Sequence, residues 1–190
     1  MYSNVEFESV LEIGTTTFEK DSITALPPKK EKIFNQLSRY DVLFFDIVGT
    51  IFPSNCFTYK QFELEKPQLR KGLYELLEVL DSKHIYLQSD SFYSTQAISL
   101  IQSLGLQNHI LGGFGPDTPG FISKGHCNLK NYDVLANILK TPNKKCAIIE
   151  DGLSNAQSTI NTGMTYYELP YYICPEIDTF DFKQWLNAEN

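Results

Sequence analysis

From residue 42 onward the chain alternates short apolar runs with longer stretches in which apolar residues recur every three or four positions. Val42-Leu-Phe-Phe45 is an unbroken apolar run rich in strand-favouring residues, closed off by Asp46. Such a run predicts a strand buried on both faces. Further strands are predicted at 84–88, around Ile110, at 146–149 and at 165–169. Between them, helical spacing predicts helices. One covers 67–83, with Pro67 near its start and Leu69, Leu73, Leu76, Leu77 and Leu80 on one face. Others cover 93–104, ended by Gly105, then about 128–139 and 154–162, ended by Gly163, with a last one at 180–186. Strand–helix alternation of this kind predicts an α/β domain with a parallel sheet and crossover helices.

The first 40 residues follow another pattern. Val5 to Ile13 alternates in part, Leu26-Pro-Pro-Lys-Lys interrupts any element, and 32–38 predicts a short helix feeding the first strand. The chain therefore divides into an N-terminal extension, 1–40, and one α/β domain, 41–190, an economical use of 190 residues.

Bulk properties narrow the setting. A composition 42% hydrophobic and 21% charged is that of an ordinary globular protein. Net charge −7 disfavours nonspecific binding to nucleic acid or to an anionic membrane. No apolar stretch approaches the roughly 20 residues that span a bilayer, and the N-terminus shows no signal-peptide pattern. Cys56, Cys127, Cys146 and Cys174 are scattered rather than paired, which favours reduced structural thiols and a cytoplasmic location.

Candidate chemistry collects where strands end. Open α/β sheets place their ligands at the C-terminal lips of the strands. Asp46 ends the first strand and is followed by Ile-Val-Gly49-Thr50. Ser89 ends the second, beside Asp90 and Ser91; its hydroxyl either caps the next helix or, if Asp90 or Ser91 does so, is free to meet an anion. Lys124 lies in the loop Gly120-Phe-Ile-Ser-Lys124-Gly125, where a cation would neutralise a carboxylate and an anionic ligand; Lys130 competes for that role. Glu150-Asp151 ends the fourth strand, and two acids at a buried lip are costly unless paired or bound to a cation such as Mg²⁺. Each residue also has a plain structural reading: a turn acid, a helix cap or an exposed lysine.

Taken together, these four lips resemble the four motifs of the haloacid dehalogenase (HAD) superfamily, over roughly residues 42–170. The resemblance implies a Rossmann-like three-layer sandwich around a central parallel sheet. It implies Asp46 as a nucleophile forming an aspartyl phosphate, with Ser89 and a motif lysine, preferably Lys124, at the phosphoryl group. It implies Mg²⁺ held by Asp46, the backbone carbonyl of Val48 and Asp151, with Glu150 close by. Gly49, Thr50, Asp90 and Asn155 are implied to line the substrate.

One position departs from the family pattern. The second motif aspartate, which serves as general acid and base, is Val48. Its loss removes a contribution of typically 10²–10⁴-fold. Read as an extended continuation of the strand, the segment would aim residue 48 into the crevice together with residue 46. Three readings follow: a slow or specialised Mg²⁺-dependent phosphohydrolase or phosphotransferase, a HAD-like binding or regulatory module without turnover, and, less favoured, a dehalogenase. The interval from Asp46 to Ser89 is largely helix and 90–123 has no room for a large insert, so the domain is expected to lack a cap. An uncapped crevice suits a phosphorylated substrate as large as a macromolecule. Phe52, Phe57, Tyr59 and Phe62 would form a small flap or, as preferred, pack on the sheet; Tyr166, Tyr167, Tyr171 and Tyr172 form a second aromatic cluster.

Overall fold

The computed structural model describes residues 31–53, 59–65, 68–123, 129–152, 159, 162–170 and 178–189. Its elements are α1 (Ile33–Leu37), β1 (Val42–Asp46), α2 (Tyr59–Glu65), α3 (Leu73–Val79), β2 (His84–Gln88), α4 (Ser94–Ser103) and β3 (Ile110–Phe114). There follow β4 (Ile122–Ser123), β5 (Leu129–Lys130), α5 (Tyr132–Ile138), β6 (Cys146–Glu150), β7 (Thr165–Glu168) and α6 (Phe182–Asn187).

Five parallel strands form the sheet in the order β3-β2-β1-β6-β7. The chain runs outward from β1 to one edge, then returns to the other side of β1. The point of reversal is therefore the gap between β1 and β6, where a ligand crevice is expected. Register places Asp46 beside Gln88 and Phe45 beside Ile149, so the lips of β2, β1 and β6 lie level.

Strand alternation sorts the core into two layers. Leu43, Phe45, Ile85, Leu87, Ala147 and Ile149 face α1, α3, α4 and α6. Val42, Phe44, Cys146 and Ile148 face Phe121 and the α5 residues Tyr132, Leu135 and Ala136. Helices on both faces explain why every residue of β1 and β6 is buried. Ile33 and Leu37 of α1 are buried in the first layer, so this helix packs with the sheet rather than apart from it.

Two expected helices are shorter than their periodicity predicts. The segment 67–83 becomes helical at Leu73, after Gly72 takes a left-handed conformation (φ +77°) against Asp181. The segment 128–139 becomes helical at Tyr132, because Leu129 and Lys130 pair antiparallel with Ile122 and Ser123 instead. The apolar spacing continues through both non-helical starts, which is why the pattern overran them. Phe52, Tyr59 and Phe62 pack on one another and on Phe92, the structural reading preferred for these aromatics. Phe57, Tyr171, Tyr172, the strand expected within 5–13 and most of the helix at 154–162 lie outside the described residues. No helix among the described residues is long and apolar enough to cross a membrane.

Candidate active site

Asp46 continues the alternation of Val42 and Phe44, so its carboxylate emerges on the face covered by α5. The short β4–β5 pair carries Lys130 to that point, and Asn131 N–H donates to the Phe121 carbonyl to fix the turn into α5. Lys130 Nζ donates to Asp46 Oδ1 at 2.8 Å and to Glu150 Oε1 at 2.5 Å. Tyr132 Oη donates to Glu150 Oε2 at 2.5 Å. Asp46, Lys130 and Glu150 are 6%, 2% and 1% exposed, so this is a buried ionic cluster rather than a surface pair. Buried charges of this kind persist only when paired and hydrogen-bonded.

Electrostatics follow from the geometry. Burial pushes the Asp46 carboxyl well above the ordinary aspartate range; Lys130 opposes the shift, and the neighbouring Glu150 and Asp151 add to it. Burial alone would lower Lys130, but Asp46 and Glu150 carry it above the ordinary lysine value. Burial, then the adjacent Glu150, pushes Asp151 up to about 6. Lys130 thus offsets only part of the negative charge that Asp46, Glu150 and Asp151 bring together.

Gly49 is required where it stands. Its φ is +81°, and a Cβ there would lie 1.8 Å from Asp151 Oδ2. The loop after β1 therefore packs its bare backbone against the lip of β6. Ile51 and Phe52 both donate their backbone N–H groups to the Ile47 carbonyl, so the chain turns immediately after Asp46. This turn ends the two-residue alternation. Val48 is half-buried and packs against the cluster that holds Phe45, Ile47 and Phe52.

Other expected site residues divide. Ser89 Oγ accepts from the backbone N–H groups of Ser91 and Phe92, both at 3.1 Å, and lies 3.2 Å from Ser91 Oγ. Helix α4 takes its first-turn acceptor from Asp117, bound by Ser94 N–H, which leaves the turn after β2 to Ser89. Asp90 is exposed. Thr50 is buried, and among the described residues its hydroxyl has no hydrogen-bond partner. Lys124 and Asn155 lie outside the described residues. Among the described residues, Lys130, the competitor of Lys124, is the lysine found on Asp46. Sequence reasoning passed over Tyr132 and Gln88. Tyr132 falls two residues after Lys130, the spacing that lets both reach Glu150; Gln88 is a polar residue closing an otherwise buried strand.

Among the described residues, no group of three or more His, Cys, Asp or Glu side chains is arranged to hold a metal ion. Both Glu150 oxygens are committed to Lys130 and Tyr132, so this carboxylate is spent within the protein rather than offered to a cation. Asp46 and Asp151 remain, with the Val48 carbonyl. Mg²⁺ asks for one or two carboxylates and fills its other positions with water and substrate oxygens. The residues present fit such an ion.

Several solved structures share this architecture, among them the following three. A HAD-superfamily hydrolase, subfamily IA, variant 1, from Geobacter sulfurreducens aligns at TM-score 0.51 and 9% identity, over 68% of this chain and 87% of that one. A haloacid dehalogenase-like family hydrolase from Streptococcus pneumoniae aligns at TM-score 0.50 and 16% identity, over 69% and 85%. The chain has the haloacid dehalogenase-like fold. The DsGPDH of Dunaliella salina aligns at TM-score 0.51 and 15% identity, over 80% of this chain but only 28% of that one. No protein-family model and no curated protein matches the sequence. At these identities the likeness is one of fold, and the chemistry of this HAD-like domain has to be argued from its own residues.

Proposed function

We propose that the protein is a Mg²⁺-dependent phosphohydrolase or phosphotransferase that works through an aspartyl phosphate on Asp46. One observation carries this reading: a carboxylate at the reversal point of the sheet is held by the buried Lys130, itself fixed between Asp46 and Glu150. Lys130 Nζ orients Asp46 through Oδ1, and no hydrogen bond among the described residues engages Oδ2. Asp46 Oδ2 would attack phosphorus while the bond from phosphorus to the leaving oxygen breaks and that oxygen keeps the electron pair.

A bound Mg²⁺, held by Asp46, Asp151 and the Val48 carbonyl, would supply the positive charge that keeps these carboxylates ionised beside a phosphoryl group. Val48 offers no proton. The leaving oxygen must depart as an anion or draw its proton from water, which favours acyl or aryl phosphates over alkyl ones. Hydrolysis of the aspartyl phosphate is slowed for the same reason, so transfer to an acceptor other than water competes with it. The open crevice of an uncapped domain suits a phosphorylated macromolecule.

The test is the initial rate on an aryl phosphate with Mg²⁺, compared with an alkyl phosphate and with Asp46→Asn. Expected are slow Mg²⁺-dependent release from the aryl ester, little from the alkyl ester, and none in the variant. Wild-type turnover by Asp46→Asn would remove Asp46 from the nucleophile's role. A folded chain that turns over neither ester favours the binding-module reading.

A further inference from the structure

Gln88 is a buried polar side chain at a strand lip whose chemistry the site above leaves unused. It closes β2 directly beside Asp46 in parallel register, and paired residues of parallel strands project to the same face. That face is fixed independently. Phe44 and Tyr86, one alternation earlier on the two strands, both pack on the α5 side of the sheet, and their rings lie 6.3 Å apart. Gln88 thus stands between Asp46 on one strand and Phe114 on the other. It is 0% exposed, yet among the described residues neither Nε2 nor Oε1 has a hydrogen-bond partner. Burying an amide without partners is costly, and buried polar groups are paired in all but rare cases. An apolar residue would serve the strand better, as Phe114 does at the paired position of β3.

We infer that the Gln88 amide is a binding group for the phosphoryl moiety carried by Asp46, its Nε2 donating to a phosphoryl oxygen and its Oε1 accepting from the water or acceptor hydroxyl that follows. The inference rests on the aspartyl-phosphate reading above. It supplies a specific role. With Val48 unable to activate a nucleophile, an amide that accepts a hydrogen bond can still orient one, as glutamine does in other phosphoryl-transfer sites. Ser89, whose Oγ accepts two backbone N–H groups of the turn after β2, stands next to Gln88 in the chain.

The probe is beryllium fluoride, which bonds to an aspartate oxygen and sets fluorines where phosphoryl oxygens would stand. Its binding with Mg²⁺ is followed by ¹⁹F NMR in wild type, Asp46→Asn, Gln88→Met and Gln88→Glu. Methionine keeps the volume and removes both polar atoms; glutamate keeps an acceptor and removes the donor. Expected are an Asp46-dependent signal in wild type and binding weakened roughly 10- to 100-fold in both Gln88 variants, the loss of one hydrogen bond to a charged group. Because the amide has no partner, Gln88→Met should melt at the wild-type temperature or higher. Asp46-dependent binding that is unchanged in Gln88→Met overturns the inference alone. Absence of Asp46-dependent binding in wild type overturns the inference and the function it rests on together. A Gln88→Met chain that melts much lower, or does not fold, shows the amide to be structural and likewise overturns it.

Discussion

The lips of β6 and β2 flank Asp46 on opposite sides and are built in opposite ways. Glu150 ends β6 with both oxygens taken, one by Lys130 and one by Tyr132. Gln88 ends β2 equally buried, with neither polar atom taken. The saturated side reads as scaffold: it fixes Lys130 on Asp46 and stabilises charge that would otherwise be intolerable there. The unsaturated side reads as a place held for something the described residues do not provide. Substitutions should therefore cost stability on the β6 side and ligand binding on the β2 side.

The sharpest break in that contrast comes from Lys130→Met. It strands two buried carboxylates, and urea denaturation should show a loss of about 3–5 kcal/mol. A loss well under 1 kcal/mol would mean that the cluster is not the scaffold it looks to be. Gly49→Ala comes next. Its methyl group would overlap the Asp151 carboxylate and strain a left-handed backbone. Mg²⁺ should then fail to raise the melting temperature, and a wild-type shift in this variant would place the cation elsewhere.

Tyr132→Phe removes one donor from a buried carboxylate and should cost about 1–3 kcal/mol by the same denaturation, with no change in beryllium fluoride binding beyond that explained by folding. Val48→Asp tests the turn after β1. A carboxylate set against the Phe45 layer should lower stability by about 1–3 kcal/mol and leave aryl phosphatase turnover at or below wild type. A clear gain in turnover would show that residue 48 faces the crevice after all.

The mildest test is pH. Burial raises both Asp46 and Asp151, the latter to about 6. A carboxyl raised on folding favours the folded state while protonated. Asp151 therefore contributes stability to the cation-free protein below its unfolded value near 4, and this is lost as pH rises through about 6. Cation binding runs the other way, since the proton competes for the same oxygens. Apparent Mg²⁺ affinity should climb between about pH 5 and pH 7 and then level off. A flat profile would mean that Asp151 is not a ligand.

The central strands were legible because β1 and β6 are compact apolar runs buried on both faces. Val42–Asp46 and His84–Gln88 are observed at their expected bounds. The helix starts were not legible. Gly72 and the Ile122–Lys130 pairing are tertiary features that leave the apolar spacing intact. At the site, Asp46, Glu150 and Asp151 were legible because charge at the end of a buried run is conspicuous. The lysine was harder. Loop position and Gly125 favoured Lys124, whereas Lys130 is brought to Asp46 by a two-residue strand that no propensity announces. Gln88 was invisible for a different reason: its significance lies in partners it does not have, which only coordinates reveal.

The central claim is that Asp46 takes a phosphoryl group, and the direct measurement is to look for it there. The protein, with Mg²⁺, is mixed with a small acyl phosphate, quenched in acid and digested, and the peptide carrying Asp46 is weighed by mass spectrometry. Slow hydrolysis in the absence of an acid at residue 48 should let the intermediate accumulate. The account predicts one added phosphoryl group on Asp46, released by hydroxylamine and missing in Asp46→Asn. An unmodified Asp46 in folded, Mg²⁺-binding protein, or a phosphoryl group that persists in Asp46→Asn, would contradict it.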